Sequence, residues 1–355
     1  MNGKTAFLRL AARIAVAGLV LAAASCATAP KEQKQSEDAF SFVVIGDTPY
    51  SKYDAVFLEE KAVPAIKAGG FPFIVHVGDT KSGGAPCTDE TDADQASLIA
   101  ALAPAPVFYT PGDNEWTDCD RFKDPATAKP MSELSRLSKL RDRFFTGAVA
   151  APKAMQARRQ AALPENETWV YDGVRFVTLH VVGTNNGRDS VMGDPLAAAE
   201  KEVEARDGAD LAWLGQAVRQ AEKEKARALV IAMQADMTAV SQAAFGKACT
   251  DVVASGDHPC DAFVALRAAV QKAARDFGGP VLLIHGDTAP FTLGQSFAGE
   301  GAPNLWRLNA AGDVYGHAEI VDGGVRDVTL VTITPGAAAP FAAKGYVTGA
   351  APQDD

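Results

Sequence analysis

VVIGDTPY, residues 43–50, carries an apolar run straight into a glycine and an aspartate. Val and Ile favour a buried strand, and Gly-Asp is a turn pair. The ending recurs three times: HVGD closes at Asp79, YTPGD at Asp113 and LLIHGD at Asp287. An acid at the end of a buried strand is costly unless something answers its charge.

Working outward from these four points, strands alternate with helical periodicity. FSFVVIG, FPFIVHVG and PVFYTPG read as strands, separated by helices over 54–68 and 92–103. Strand–helix–strand–helix–strand predicts a parallel sheet with helical crossovers, an α/β fold. A longer interruption over 120–165 holds a helix at 132–145, where Leu134, Leu137, Leu140 and Phe144 recur at helical spacing. TWVYDGVRFVTLHVV predicts a hairpin around Asp172-Gly173. Residues 195–224 predict a helix broken near Gly208, then come the strand RALVIAM and a helix at 261–276. The tail, NLWRLNA, HAEIVDG and VRDVTLVTITP, suggests antiparallel strands. One domain over 40–345 is the simplest organisation.

In an open α/β sheet, ligands bind beyond the carboxyl ends of the strands. Strands lying side by side would bring Asp47, Asp79, Asp113 and Asp287 to one edge. Four close carboxylates cannot all stay ionised unpaired. Either some hold protons, or bases neutralise them, or a divalent cation sits among them; the third suits this residue set, and oxygen-only ligands favour Mn²⁺, Mg²⁺ or Ca²⁺ over Zn²⁺. For any one aspartate alone, a helix cap or Asx-turn explains it as well. It is the fourfold recurrence that favours a shared site.

The chain has 355 residues, 47% of them hydrophobic and 22% charged, which suits a globular core. Its formal net charge of −10 disfavours nucleic-acid partners. Lys4, Arg9 and Arg13 precede the apolar stretch IAVAGLVLAAA, and small residues lead to Cys26. Residues 1–25 therefore read as an export signal of lipoprotein type, with Cys26 the lipidated residue. Residues 26–39 read as a flexible tether. This places the protein in the bacterial cell envelope, as an outer-membrane lipoprotein facing the periplasm or a soluble periplasmic protein. The membrane is then a partner only through the N-terminal lipid. Four further cysteines, Cys87, Cys119, Cys249 and Cys260, allow three pairings in an oxidising compartment. The sequential pairing, Cys87–Cys119 and Cys249–Cys260, closes two local loops.

Taken in order, these blocks resemble the calcineurin-like metallophosphoesterase superfamily. Its five blocks are D-x-H, G-D-x-x-D, G-N-H-[DE], a lone His after a strand, and G-H-x-H. They hold two metals, which activate a bridging hydroxide and grip the phosphate. Here Asp47-Thr48-Pro49 sits in the first place and Gly78-Asp79-Thr80-Lys81-Ser82 in the second. Gly112-Asp113-Asn114-Glu115 resembles the third, Gln234 falls where the lone His belongs, and Gly286-Asp287-Thr288-Ala289 resembles the last. The resemblance covers about residues 40–300. It implies a calcineurin-like phosphoesterase sandwich, mixed β-sheets flanked by helices.

Every motif histidine is replaced, by Pro49, Asn114, Gln234, Asp287 and Ala289. Pro49 and Ala289 have no ligand atom in their side chains. One metal position therefore loses two ligands. The other keeps the oxygen set Asp79, Asp113, Gln234 and Asp287, beside Asp47. Asn114 stands where the family's proton donor does but cannot donate a proton, and His285 is the first substitute to consider. His180 and His76 are strand-end alternatives with structural roles, and His258 and His317 lie in loops. Lys81 and Arg121 follow Gly-Asp blocks and are candidate phosphate clamps. Tyr50 and Trp116 sit in strand-end loops and could stack on a base or sugar.

Two functions stay open. The first is a metal-dependent phosphoesterase hydrolysing a small phosphorylated substrate by a metal-bound hydroxide. The second is an inactive descendant that binds metal or a phosphorylated ligand. The missing histidines favour the second; the retained acids and strand-end glycines favour the first, to which the reading leans. A serine hydrolase is disfavoured because Gly294-Gln295-Ser296 lacks the second glycine of a nucleophile elbow, and no P-loop is present.

Overall fold

The computed structural model describes residues 39–256, 259–299, 301–317, 320–321 and 323–355. The expected export signal, Cys26, His258 and the tether apart from Ala39 lie outside the described residues. Among the described residues no helix is long and apolar enough to cross a membrane.

Strand β1 (Phe40–Ile45) shows how one short sequence builds two cores. Side chains alternate across a strand. Phe42 and Val44 point to one face and join Phe73, Phe108, Trp169, Phe176 and Leu308 in a core between two sheets. Val43 and Ile45 point to the other and pack on Phe57, Leu58 and Ile66 from the following helices. A strand buried on both faces must be apolar throughout, as VVI is.

Helix α1 (Lys52–Phe57) begins at Ser51, whose hydroxyl accepts the Tyr53 and Asp54 N–H groups. A π-helical turn, Leu58–Ala62, carries it into α2 (Val63–Gly69). Strand β2 (Ile74–His76), helix α3 (Asp89–Ala101) and strand β3 (Val107–Tyr109) follow. β1, β2 and β3 pair in parallel, as their alternation with helices predicts.

Helix α4 (Glu133–Phe144) occupies the interruption. A short β4 (Arg158–Arg159) precedes β5 (Glu167–Tyr171) and β6 (Val174–Thr178). The last two form the expected hairpin, with Asp172 and Gly173 both at positive φ in a two-residue turn. Helix α5 (Leu196–Glu224) is continuous, which corrects the expected break at Gly208. Glycine weakens a helix by about 1 kcal/mol. The neighbouring Arg206 and Asp210 offset this by bonding Asn186 and Asn166.

Strand β7 (Ala228–Ala232), helix α6 (Val264–Phe277) and strand β8 (Val281–His285) complete a second parallel run with β6. Next come β9 (Thr292–Gly294), β10 (Leu305–Asn309), the small pair β11 (Ile320–Val321) and β12 (Gly324–Val325), then β13 (Thr329–Ile333) and β14 (Phe341–Gly345). The tail is antiparallel only in part. β13 runs antiparallel to β1 and β14, but β10 runs parallel to β8. The helical crossover before β8 and the return through β9 leave β10 pointing the same way.

The result is an α/β sandwich of two mixed sheets. Five strands run in the order β14-β13-β1-β2-β3 and seven in the order β4-β5-β6-β7-β8-β10-β9. Helices α5 and α6 cover the outer face of the larger sheet through Trp213, Leu214, Leu266 and Val270. The carboxyl ends of β1–β3 and of β6–β8 meet at one edge.

Candidate metal centre

At that edge the strand pairing continues into the loops. Asp47 N–H bonds Gly78 O, Thr48 N–H bonds Asp79 O, and Gly286 N–H bonds Gln234 O. Asp47, Asp79 and Asp287 all adopt positive φ, at 52°, 55° and 76°. Aspartate tolerates this region better than most residues, yet three cases at one edge mark a built site.

One carboxylate oxygen each from Asp79, Asp113 and Asp287 lies within 4.8 Å of the other two. Asp79 and Asp113 are buried and Asp287 is half-buried. Asp47 stands beside this triad and holds it. Its Oδ1 accepts the Asp287 N–H at 2.8 Å and faces the Tyr50 hydroxyl at 3.1 Å.

The other polar groups aim the carboxylates. Gln234 Nε2 donates to Asp113 Oδ1 at 3.2 Å and to Asp287 Oδ1 at 3.0 Å. Its Oε1 accepts the Gly183 N–H at 2.6 Å, so the oxygen expected to ligate a metal faces the backbone instead. The Asp236 N–H donates to Asp287 Oδ2 at 3.1 Å. Thr184 Oγ1 bonds Asp113 Oδ2 at 2.8 Å and Asp118 Oδ1 at 2.9 Å. Asn114 Nδ2 donates to Asp79 Oδ2 at 2.8 Å and to the Tyr50 oxygen at 3.2 Å.

Beneath the cluster, Glu115 clamps two loops. Its carboxylate accepts the N–H groups of Asp79, Thr80 and Gly112 and the Thr80 hydroxyl. The Cys87–Cys119 disulfide ties the same loops, and Cys249–Cys260 closes the second pair. Across the site, Thr184, Asn185 and Asn186 form a left-handed turn with φ of 52°, 51° and 56°. Such turns are unfavourable for L-residues. Asn185 anchors this one to the second disulfide loop, donating to Cys260 O and accepting the Ala262 N–H.

The remaining expected residues are placed elsewhere. His285 is buried, with Nδ1 2.8 Å from Gly286 O, and bonds none of the four aspartates. The backbone turns at Gly286 and Asp287, so the strand alternation expected to align the two side chains ends before Asp287. Burial holds His285 below its ordinary pKa, the nearby Asp236 opposing. His76 accepts the Gly78 N–H and is pushed by burial down to about 3. His180 is enclosed near Glu165 and Arg206, and burial holds it well below its ordinary value. His317 pairs with Tyr53. Lys81 is buried and donates to Ser82 O and Ala85 O. Arg121 is half-exposed at the rim and pairs with Asp118 at 2.7 Å. Trp116 is buried under its loop, with the Arg206 guanidinium 5.3 Å from its ring.

Burial raises the acids. Asp47 is pushed up to about 8, with the Asp287 N–H opposing and Asp313 adding to the rise. Asp79 is raised well above the ordinary range by burial and by Asp113, Glu115 and Asp47. Asp287 is raised well above it by burial, Asp113 and Asp47. Asp118 is pushed up to about 7 by burial and Asp113, with Arg121 opposing. Among the described residues no lysine or arginine hydrogen-bonds any of the four aspartates. The cluster of acidic oxygens fits a divalent cation.

Sequence reasoning missed the parts played by Tyr50, Glu115, Thr184 and Asp118. The run GTNNG, rich in residues that tolerate positive φ, was the available signal for the Thr184 turn.

No family model matches the chain, and no curated protein matches it by sequence. Solved structures do. "Structure of PhoD" is 13% identical with a TM-score of 0.48, covering 84% of this chain. This chain spans 64% of that chain's length. "GAP50 the anchor in the inner membrane complex of Plasmodium" is 11% identical with a TM-score of 0.46, covering 88% of this chain and 86% of its own. The crystal structure of TT1561 from Thermus thermophilus is 10% identical with a TM-score of 0.37, covering 87% of this chain and 100% of its own. Each is a distant likeness, and the sandwich described above stands on the pairing of this chain's own strands.

Proposed function

We propose that the chain is an exported, envelope-anchored hydrolase of small phosphate esters that uses one hard cation held by Asp79, Asp113 and Asp287. The observation that carries this is the convergence of three carboxylates with no basic group bonded to them among the described residues. It agrees with the resemblance of the Gly-Asp blocks to calcineurin-like metallophosphoesterases.

The cation would supply positive charge to polarise a phosphoryl oxygen and to acidify a water. Gln234, Thr184 and the Asp236 N–H fix the carboxylates' direction. Tyr50 and Asn114 take up the free sides of Asp47 and Asp79, leaving one cation position rather than two. Arg121, half-exposed at the rim, is the available phosphate contact. Lys81 is not, because its ammonium is turned to main-chain carbonyls. His285, bonded to Gly286 O, does not serve as the proton donor to a leaving group.

A second reading is a phosphate-ester-binding protein without turnover. It is favoured by one observation: none of the described histidines bonds the cluster.

The test is metal content after a Mn²⁺ soak and desalting, with hydrolysis of p-nitrophenyl phosphate and bis-p-nitrophenyl phosphate. One ion per chain, lost in Asp79→Ala and Asp287→Ala together with hydrolysis, supports the enzyme. A retained ion without hydrolysis supports the binding reading. No ion in wild type, checked by titration, sinks both.

A further inference from the structure

Of the two rings expected to stack on a base or sugar, neither is free to do so. Trp116 is buried under its loop. Tyr50 turns its hydroxyl to Asp79 and Asp47, and its ring meets a second ring, Tyr315, with centroids 5.1 Å apart and planes tilted by 37°. Tyr315 lies in the loop after β10 and is 55% exposed. A Cβ on the next residue, Gly316, would meet nothing within 4 Å. One side of the ring thus rests against Tyr50 and the rest is open. Burial and the carboxylates of Asp313, Asp79 and Asp47 hold the Tyr315 hydroxyl above its ordinary pKa. The polar tip therefore faces the acidic centre while the ring stands clear of it.

A lone exposed ring is ordinary on a protein surface. What sets Tyr315 apart is how firmly its loop is held against the centre. The Asp313 N–H donates to Asp47 O at 3.0 Å. Gly312 lies so close to the same strand end that a Cβ there would come 2.4 Å from Gly46 O. Arg326 donates from Nη2 to Gly316 O at 2.7 Å and from Nη1 to His317 O at 3.3 Å, and its Nε meets Asp54 Oδ1 at 2.6 Å. Asp54 in turn accepts the Tyr50 N–H at 3.0 Å. One ion pair thus ties together the backbones that carry both rings. The Tyr53 hydroxyl and His317 Nε2, 3.0 Å apart, add a further link. A ring kept only for packing would be buried; this one is held in place with its surface open. Tyrosine offers a large, rigid, flat contact at little cost in conformational entropy.

We infer that the centre takes phosphate esters whose organic part is an aromatic ring, stacked on the open side of Tyr315 while the phosphate lies at the carboxylates. The inference rests on the phosphoesterase reading and adds to it the class of substrate. Tyr315 is then the residue that selects the organic part, and Tyr50 the support beneath it.

The test uses phenylphosphonate and benzylphosphonate, which carry the ring at two distances from a phosphorus group that cannot be hydrolysed. Cyclohexylphosphonate and methylphosphonate are the non-aromatic controls. Affinities for the Mn²⁺-loaded protein are read by calorimetric titration. At least one aromatic probe should bind wild type about fivefold or more tightly than cyclohexylphosphonate, the size of one ring–ring contact. Tyr315→Ala and Tyr315→Leu should remove that preference and Tyr315→Phe should keep it, with Mn²⁺ content and methylphosphonate affinity unchanged in all three. If Tyr315→Ala does not fold, Tyr315→Leu decides. Wild type that holds Mn²⁺ and methylphosphonate without an aromatic preference overturns the inference and leaves the phosphoesterase reading standing, as does a preference that survives Tyr315→Leu. Wild type that holds no Mn²⁺, or no methylphosphonate, overturns both.

Discussion

The Tyr50 hydroxyl lies 2.7 Å from Asp79 Oδ2 and 3.1 Å from Asp47 Oδ1. One hydroxyl carries one proton, so it cannot satisfy two ionised acids. The hydroxyl is shared between them, and at Asp47 it opposes the burial that pushes this acid up to about 8. Tyr50→Phe removes both contacts. It should cost about 1–2 kcal/mol in urea unfolding at pH 7. An unchanged midpoint would mean that the bridge contributes nothing.

Stability of the chelator-treated protein should fall as pH rises from 7 to 8. The folded values of Asp47 (about 8) and Glu133 (about 11) lie above the ordinary carboxylate range, and those of Asp79 and Asp287 well above it. The folded state thus keeps protons that the unfolded state has released, and each costs up to about 1.4 kcal/mol per pH unit. Below about pH 6.5 the buried His76, His180 and His285, held neutral, act in the opposite sense. Saturating Mn²⁺ should flatten the pH 7–8 slope by replacing protons. A chelated protein more stable at pH 8 than at pH 7 would contradict the assignment.

Gly183 passes close to two of the acids. A Cβ there would lie 2.4 Å from Asp113 Oδ2 and 2.6 Å from Asp287 Oδ1. Its φ is not in the left-handed region, so the backbone itself tolerates alanine. Gly183→Ala should lower cation affinity at least tenfold while far-UV circular dichroism stays native. Full retention of Mn²⁺ would place the ion elsewhere.

The two disulfides should differ in what they hold. Removing Cys87–Cys119, which spans 32 residues, should cost about 4 kcal/mol on the chain-entropy account. Removing Cys249–Cys260, which spans 11, should cost about 3 kcal/mol. The Cys249→Ser, Cys260→Ser double variant should also weaken Mn²⁺ binding, because Asn185 loses its anchor and Thr184 its hold on Asp113. Calorimetric titration checks this, and equal Mn²⁺ affinity would uncouple the turn from the centre.

Local pattern carried much of the architecture. VVI, FIV and LLI are uniformly apolar because both faces of their strands are covered, and a run of that kind between helices is readable in one dimension. Asp172-Gly173 announced its hairpin through backbone preference alone. Gly208 misled for the same reason: propensity is local, and the bonds of Arg206 and Asp210 that carry α5 across it are not.

By itself, the sequence determined that acids close the strands and that other residues stand at the family's motif histidines. Only the tertiary structure decided which acids meet. Asp79, Asp113 and Asp287 converge, and Asp47 becomes their support, because two sheets bring their strand ends to one edge. It also decided that Gln234 donates to them, since the Gly183 N–H claims its oxygen. Strand endings are set by residues next to each other in the chain. Hydrogen-bond direction is set by groups tens to hundreds of residues apart, and no spacing along the sequence encodes it.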